Sequence, residues 1–346
     1  MSIKKADINQ GFALKLQDDP YAPLSSRLAL INKDIPTPNK GQVLVRVLAS
    51  PINPSDLVYL HGQYGLPPVE HTFAGFEACG IVEKANAGIY GKWLKGKRVA
   101  MAAQAGFDGF WGNYAITRAT NCLPLRNDID DIQGSTLIVN PLTSVCLVER
   151  AKALGAKTII VNAAASQVGK GVIRYCKLLG NIKVIATVRS EQNVNILKEL
   201  GAHHVLLTTD QNYQEKLKTL AKQTKAKVLL DAVAAEHTAA TLKLMPNSST
   251  AIIYGRLTET HSNYGGEYGV ADLIFRDCRI EGFWLATFMR RAKPWQILSL
   301  SRKVQKLFAQ GVFNTDIYGT FGFEDFLPAL EHYAEHKSDG KVVLVP

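Results

Sequence analysis

Long hydrophobic runs are missing from this 346-residue chain. None reaches about 18 residues, so no membrane-spanning helix is expected, and no membrane partner with it. Paired cysteines are missing too. The five present, Cys79, Cys122, Cys146, Cys176 and Cys278, are odd in number and far apart. That excludes a C-x-x-C metal knuckle and a disulfide framework. The opening residues, Met1–Asp7, hold no apolar stretch for a secretory leader and no Arg- and Ser-rich transit pattern. With unpaired thiols, the expected compartment is the cytoplasm. Acids are the scarcer charge, 30 against 40 Lys and Arg, a net charge of +10. A nucleic-acid binder gathers such an excess in runs or on one helix. Here it is dispersed: Lys92, Lys95, Lys97 and Arg98, then Lys216, Lys218, Lys222, Lys225 and Lys227. No nucleic-acid partner is expected. A solvated surface accounts for these cations, and attraction for an anionic small molecule or an acidic carrier protein is the sharper reading.

What is present is a globular chain: 47% hydrophobic and 20% charged residues exclude disorder. At roughly 150 residues per domain, two domains are expected. The first third is dense in Gly and Pro, with short strand-like runs at residues 41–48, 80–83 and 98–101, which implies a β-rich, irregular domain. From about residue 136 the texture changes. Residues 158–162 form an apolar run that leads into a small-residue turn. Val168, Val172, Ile173, Cys176 and Leu179 then recur at helical spacing, with Lys170, Arg174 and Lys177 between them, and Gly180 suits the cap. A strand follows at 183–188, and the alternation continues through helices at 191–200, 213–223, 236–245 and 270–276 and strands at 204–207, 227–231, 250–255 and 279–284. Such alternation predicts an α/β fold with a doubly wound parallel sheet of Rossmann type. Residues 341–345 read as a terminal strand that returns to the first domain. The expected boundaries are 1–135, completed by 311–346, and 136–310.

The turn after the first strand of that alternation is Asn162-Ala163-Ala164-Ala165-Ser166-Gln167-Val168-Gly169. Laid on G-x-G-x-x-G, its three Gly positions hold Ala164, Ser166 and Gly169. Small residues there still let backbone approach a pyrophosphate at the helix N-terminus. Twenty residues beyond Gly169, where an acid would bind a ribose 2′-hydroxyl, stands Arg189, followed by Ser190. A guanidinium suits a 2′-phosphate, so the expected cofactor is NADPH. Glu191 reads as the first turn of the next helix.

At this point the chain resembles the zinc-free medium-chain dehydrogenase/reductase superfamily. The carrying residues are Pro51-Ile52-Asn53-Pro54-Ser55-Asp56, Gly62-Gln63-Tyr64-Gly65, Gly75-Phe76-Glu77 and Asn140-Pro141-Leu142-Thr143. Leu273-Ile274-Phe275-Arg276-Asp277 and Glu281-Gly282-Phe283-Trp284-Leu285 complete the set. Within that superfamily the likeness is to mitochondrial-type 2-enoyl thioester reductases, and quinone oxidoreductases share the first motif. The resemblance implies a GroES-like catalytic domain beside the Rossmann domain, an active cleft between them, and a homodimer. Zinc-dependent relatives ligate metal with Cys, His and Cys, where this chain has Asn53, Phe76 and Asn140. Amide and phenyl groups do not replace thiolate and imidazole, so no metal is expected. His332 and His336, four apart on a probable helix, read as a solvated face rather than a metal clip.

The resemblance also carries roles. Tyr64 matches the general acid that protonates the α-carbon after hydride reaches the β-carbon of a conjugated C=C. Asn140 matches a contact at the nicotinamide end. Ala165, Ser166, Gln167, Val168 and Gly169 would line the pyrophosphate, and Arg189 and Ser190 the 2′-phosphate. Tyr254 and Gly255 end a strand at the nucleotide crevice. Phe283, Trp284 and Leu285 would wall the cofactor and acyl pocket, and Lys341 matches a late basic cofactor contact. Gln167 departs from the family, which has Gly there. The expected activity is NADPH-dependent reduction of a 2-enoyl thioester on CoA or acyl carrier protein. The alternatives are a quinone or small-enone reductase and a non-catalytic NADPH-binding protein.

Overall fold

The computed structural model describes residues 8–19, 21–257 and 267–346. The N-terminal residues inspected for a leader, Met1–Asp7, lie outside the described residues. Two compact units divide the chain. One comprises Met1–Val139 with Gln305–Pro346, and the other Asn140–Val304. Both crossings fall inside a helix, Val139–Ala153 and Pro294–Ala309.

The discontinuous unit is built on a seven-stranded sheet in the order Ile317–Phe321, Lys341–Leu344, Gln42–Pro51, Glu77–Asn86, Arg98–Ala102 and Leu123–Pro124, with Tyr114–Arg118 also paired to Gln42–Pro51. The terminal strand pairs antiparallel with the long one, Val343 opposite Pro51. A two-stranded hairpin of Ile8–Leu14 and Leu28–Asp34 adds a second layer. Phe326 of the helix Phe326–Glu335 stacks on Phe12 at 5.1 Å and meets Trp111 edge-on at 5.0 Å. Residues 305–346 therefore complete the core of the first third rather than extending the middle of the chain.

The continuous unit is a six-stranded sheet in the order His204–Leu207, Lys183–Val188, Thr158–Val161, Val228–Asp231, Thr250–Ile253, Arg279–Gly282. All its pairings are parallel. Counted along the chain this is 3-2-1-4-5-6, the Rossmann order. The central strands read Thr-Ile-Ile-Val and Val-Leu-Leu-Asp and are buried throughout. Helices cover both faces of such a sheet, so its middle strands carry continuous apolar runs instead of alternation. The helix Gln167–Leu179 buries Val172, Ile173 and Cys176 and ends at Gly180 with φ 69°. Lys170, expected on the wet face, is only 7% exposed. All five cysteines are buried and unpaired. Among the described residues no helix is long and apolar enough to cross a membrane.

Candidate active site

In the continuous unit, the end of the first strand meets the end of the fourth, and there the strand order reverses. Crevices at such switch points hold dinucleotides. Asn162 donates to Asp231 Oδ1 at 2.6 Å and accepts from the Ala232 N–H at 2.7 Å. Asp231 also accepts from the Val233 and Ala234 N–H groups and, at 2.5 Å, from the Thr238 hydroxyl. This buried network pins the rim of the crevice. Sequence reading missed it, although Asn and Asp closing two apolar runs were a visible signal.

The turn itself is formed by small residues for steric reasons. Ala163 sits at φ 44°, and Ala164 is fully buried. Ser166 caps the helix, its hydroxyl accepting from the Gly169 N–H at 3.2 Å. A Cβ on Gly169 would lie 2.6 Å from the Ala164 carbonyl oxygen, so only glycine lets helix and strand close here. Gln167 is the first helical residue and Val168 the second, so the departure from Gly at 167 falls on a position with ordinary helical geometry. The first-turn N–H groups lack intrahelical acceptors and carry the positive end of the helix dipole. Ala165 completes the turn before the Ser166 cap.

Arg189 follows the strand Lys183–Val188 and is exposed, and among the described residues only its backbone carbonyl is engaged, by Thr209. Ser190 is half-buried beside it, and Glu191 occupies the cap of the next helix. Tyr254 and Gly255 extend the fifth strand. A Cβ on Gly255 would meet the Ala232 carbonyl oxygen at 2.9 Å. The buried Tyr254 hydroxyl reaches toward Ser166 without closing a hydrogen bond of normal geometry. Burial, with the charge of Asp231 beside it, pushes its pKa well above 10.

Asn140 stands at the start of the helix Val139–Ala153, 8% exposed, and among the described residues its Nδ2 has no hydrogen-bond partner. Ser144, one turn on, donates to the Asn140 carbonyl at 2.8 Å and the Val168 carbonyl at 3.2 Å, which ties this helix to the dinucleotide helix. A buried amide left without an acceptor costs about 1–3 kcal/mol. A nicotinamide carboxamide is the kind of group that would satisfy it. Phe283, Trp284 and Leu285 are half-buried where the sixth strand turns into the helix Leu285–Arg291. The Phe283 N–H still pairs with the Ile253 carbonyl at 2.8 Å, and its ring faces Phe288 at 6.3 Å.

In the discontinuous unit, Tyr64 follows the helix Pro54–Leu60. Gly62, at φ 69°, reverses the chain at the helix end. The half-buried Tyr64 ring then lies 4.9 Å from Phe76 and edge-on to Tyr59 at 6.4 Å. Phe76, at a position where zinc-dependent relatives place a ligand, is thus the ring on which Tyr64 leans.

Lys341, expected as a late basic cofactor contact, lies in the discontinuous unit. It is 1% exposed. Its ammonium donates to the Ile52 carbonyl at 2.7 Å and the Asn53 side-chain oxygen at 2.5 Å, and approaches the Tyr333 hydroxyl at 3.5 Å. Its ammonium thereby ties the terminal strand to the cap of the helix Pro54–Leu60. Asn53 donates to Glu77, and Glu77 accepts from the Val139 N–H. Asp56 accepts from the Asn53 N–H at 2.7 Å. Burial lifts Asp56 to about 7 and raises Glu77, while burial lowers Lys341 to about 8. Asn53 therefore sits inside a proton-holding cluster. His332 and His336 stack on each other at 4.6 Å, and His332 on Tyr318 at 4.4 Å. Among the described residues no three His, Cys, Asp or Glu side chains gather as a metal site.

Comparison with known proteins matches this architecture. Residues 39–127 fit the alcohol dehydrogenase GroES-like domain, and residues 168–300 fit the zinc-binding dehydrogenase family. A candidate NADPH:quinone reductase from Mesorhizobium loti is 31% identical, with TM-score 0.90 over 99% of this chain and 100% of its own. The mitochondrial enoyl-[acyl-carrier-protein] reductase of Rattus norvegicus is 28% identical over 309 residues, 88% of this chain and 81% of its own. A mutant form of the enoyl thioester reductase of Candida tropicalis shares the fold at TM-score 0.79 and 21% identity, over 98% of this chain and 100% of its own. The chain belongs to the medium-chain dehydrogenase/reductase superfamily, a family of oxidoreductases.

Proposed function

We propose that the protein is an NADPH-dependent reductase of conjugated C=C bonds, with 2-enoyl thioesters as substrates. The observation that carries the reading is the Rossmann crevice with its orphaned Asn140 amide, together with an aromatic-clamped tyrosine hydroxyl at Tyr64. The crevice residues fit the cofactor. Ala165–Gly169 and the helix N-terminus would take the pyrophosphate. Arg189 and Ser190 would take the 2′-phosphate, and this choice of NADPH over NADH rests on the Arg189 guanidinium where an acid would bind a ribose 2′-hydroxyl. Tyr254, Gly255 and Phe283–Leu285 would wall the nicotinamide half. When bound, NADPH supplies a hydride to the β-carbon of the acceptor. Tyr64 then gives its hydroxyl proton to the α-carbon and regains one from water. A phenol is protonated at neutral pH and is a competent donor. The enoyl reductase from Rattus norvegicus supports the thioester substrate.

A second reading, a quinone or small-enone reductase, is favoured by the higher identity and TM-score of the Mesorhizobium loti protein. Both readings share the cofactor site and the homodimer of the family. The five buried, unpaired thiols suit a reducing compartment such as the cytoplasm.

The deciding experiment follows NADPH absorbance with trans-2-hexenoyl-CoA and, in parallel, a naphthoquinone. Preference for the thioester, with a loss of roughly a hundredfold or more in Tyr64→Phe, is expected. Preference for the quinone with Tyr64→Phe unaffected overturns the thioester assignment.

A further inference from the structure

The discontinuous unit carries a protruding patch on the helix Gly88–Leu94. Gly91 and Leu94 face the core. The opposite face is bare: Ile89 is 89%, Trp93 52% and Tyr90 41% exposed. The two rings stack at 5.7 Å, and the Lys97 ammonium lies over Trp93 at 4.6 Å. Residues 84–98 contain Lys84, Lys92, Lys95, Lys97 and Arg98 and no acid. Lys84, Lys92 and Lys95 are exposed, and among the described residues Lys92 and Lys95 have no ion-pair partner. The acids nearest in sequence are already engaged, Glu83 by Arg46 and Asp131 by Arg98. Strand register sets Gln42 between Asn86 and Arg118, so Arg118 and the neighbouring Lys40 stand at the sheet end from which the helix departs. Cations that look dispersed in the sequence are thereby brought around one apolar tip.

We infer that this patch docks the protein on an anionic lipid surface. The residue types are graded as an interfacial anchor requires: an aliphatic tip, two aromatic rings that favour the headgroup level, and lysines for anionic headgroups. An isoleucine as exposed as Ile89 stands proud of its surroundings, and a bilayer accepts a projecting wedge, whereas a protein partner would have to present a recess for it. That no helix among the described residues is long and apolar enough to cross a membrane leaves contact with the surface open.

The experiment is flotation of the full-length protein with vesicles of phosphatidylcholine alone and of equal parts phosphatidylcholine and phosphatidylglycerol. Binding to the mixed vesicles only, weakening as salt rises, is expected. At about 1 kcal/mol per lysine near a charged surface, Lys92→Glu with Lys95→Glu should weaken it at least tenfold. Ile89→Ser with Trp93→Ser should weaken it similarly. A blue shift of tryptophan emission on the vesicles should vanish in Trp93→Phe, and NADPH oxidation in solution should be unchanged in all these variants. Absence of binding to mixed vesicles at low salt overturns the inference. So does binding that these substitutions leave intact, or a self-association or acidic-protein complex that they abolish while vesicles are ignored.

Discussion

Ala234 and Ala235 hold φ of 69° and 55°, in a region that suits glycine. Ala235, with ψ −137°, is the more strained of the two. Asp231 enforces the turn, since one of its oxygens accepts from both the Val233 and Ala234 N–H groups. Backbone strain of this kind costs on the order of 1–3 kcal/mol, and it clusters at ligand crevices. Ala235→Gly relieves it, offset by roughly 0.5–1 kcal/mol of extra chain entropy. A net stabilisation of about 1 kcal/mol is expected, read as a rise of a few degrees in thermal midpoint. A fall in midpoint would mean the alanine methyl is making a contact worth more than the strain. The opposite substitution is expected at Gly169, where Gly169→Ala drives a methyl onto the Ala164 backbone at 2.6 Å. Loss of NADPH binding together with a lowered midpoint is the expected result, measured by cofactor titration and thermal melting.

Among elements, the junction beneath Lys341 sets a pH dependence. It joins the end of the long strand, the cap of the helix Pro54–Leu60, the start of Glu77–Asn86 and the terminal strand. The titratable groups facing one another are Asp56, Glu77, Lys341 and Tyr333. Burial raises Asp56 from 3.8 to about 7, so the folded state holds that proton more tightly than the unfolded chain. Its contribution to stability is complete in acid below about 4 and is lost as pH climbs through 7. Asp56→Asn keeps an acceptor for the Asn53 N–H and removes the titration. Between pH 4 and 7 the wild-type stability should fall relative to the variant, by on the order of a few kcal/mol in denaturant melts. Parallel curves would show that Asp56 is ionised throughout. The same elements show where sequence was legible. The four inner parallel strands, Lys183–Val188, Thr158–Val161, Val228–Asp231 and Thr250–Ile253, announce themselves because they are largely buried and their apolar runs are continuous, bounded by turn residues. The hairpin strand Ile8–Leu14 does not, because Asn9, Gln10 and Gly11 interrupt it. Gly11 is there because a Cβ would strike the Trp111 carbonyl oxygen at 2.7 Å, a contact across a hundred residues that no local pattern carries. The burial of Lys341 was not legible for the same reason: its ammonium's partners Ile52 and Asn53 lie 289 and 288 residues upstream.

At the scale of the whole molecule, the cofactor should appear as stability. A ligand that binds only the folded state adds RT ln(1 + [L]/Kd), about 2.7 kcal/mol at a hundredfold excess over Kd. The strand Thr158–Val161, the turn, the helix Gln167–Leu179 and the strand Lys183–Val188 were legible in sequence because they form one contiguous unit. The network around Asp231 was not, because it joins strands 70 residues apart. Arg189 is exposed, and among the described residues its side chain has no hydrogen bond to the protein, so we assign to it the choice between the two nicotinamide cofactors. NADPH should raise the thermal midpoint by a few degrees at saturating concentration, and NADH at the same concentration should raise it less, because a hydroxyl gives the guanidinium nothing to neutralise. In Arg189→Asp the order should reverse, with NADPH affinity down at least tenfold from charge repulsion at the 2′-phosphate. Thermal melts at matched concentrations of the two cofactors check this without any acceptor substrate. Equal shifts for both cofactors in the wild type would remove Arg189 from the cofactor site and leave the choice of nicotinamide to residues elsewhere in the crevice.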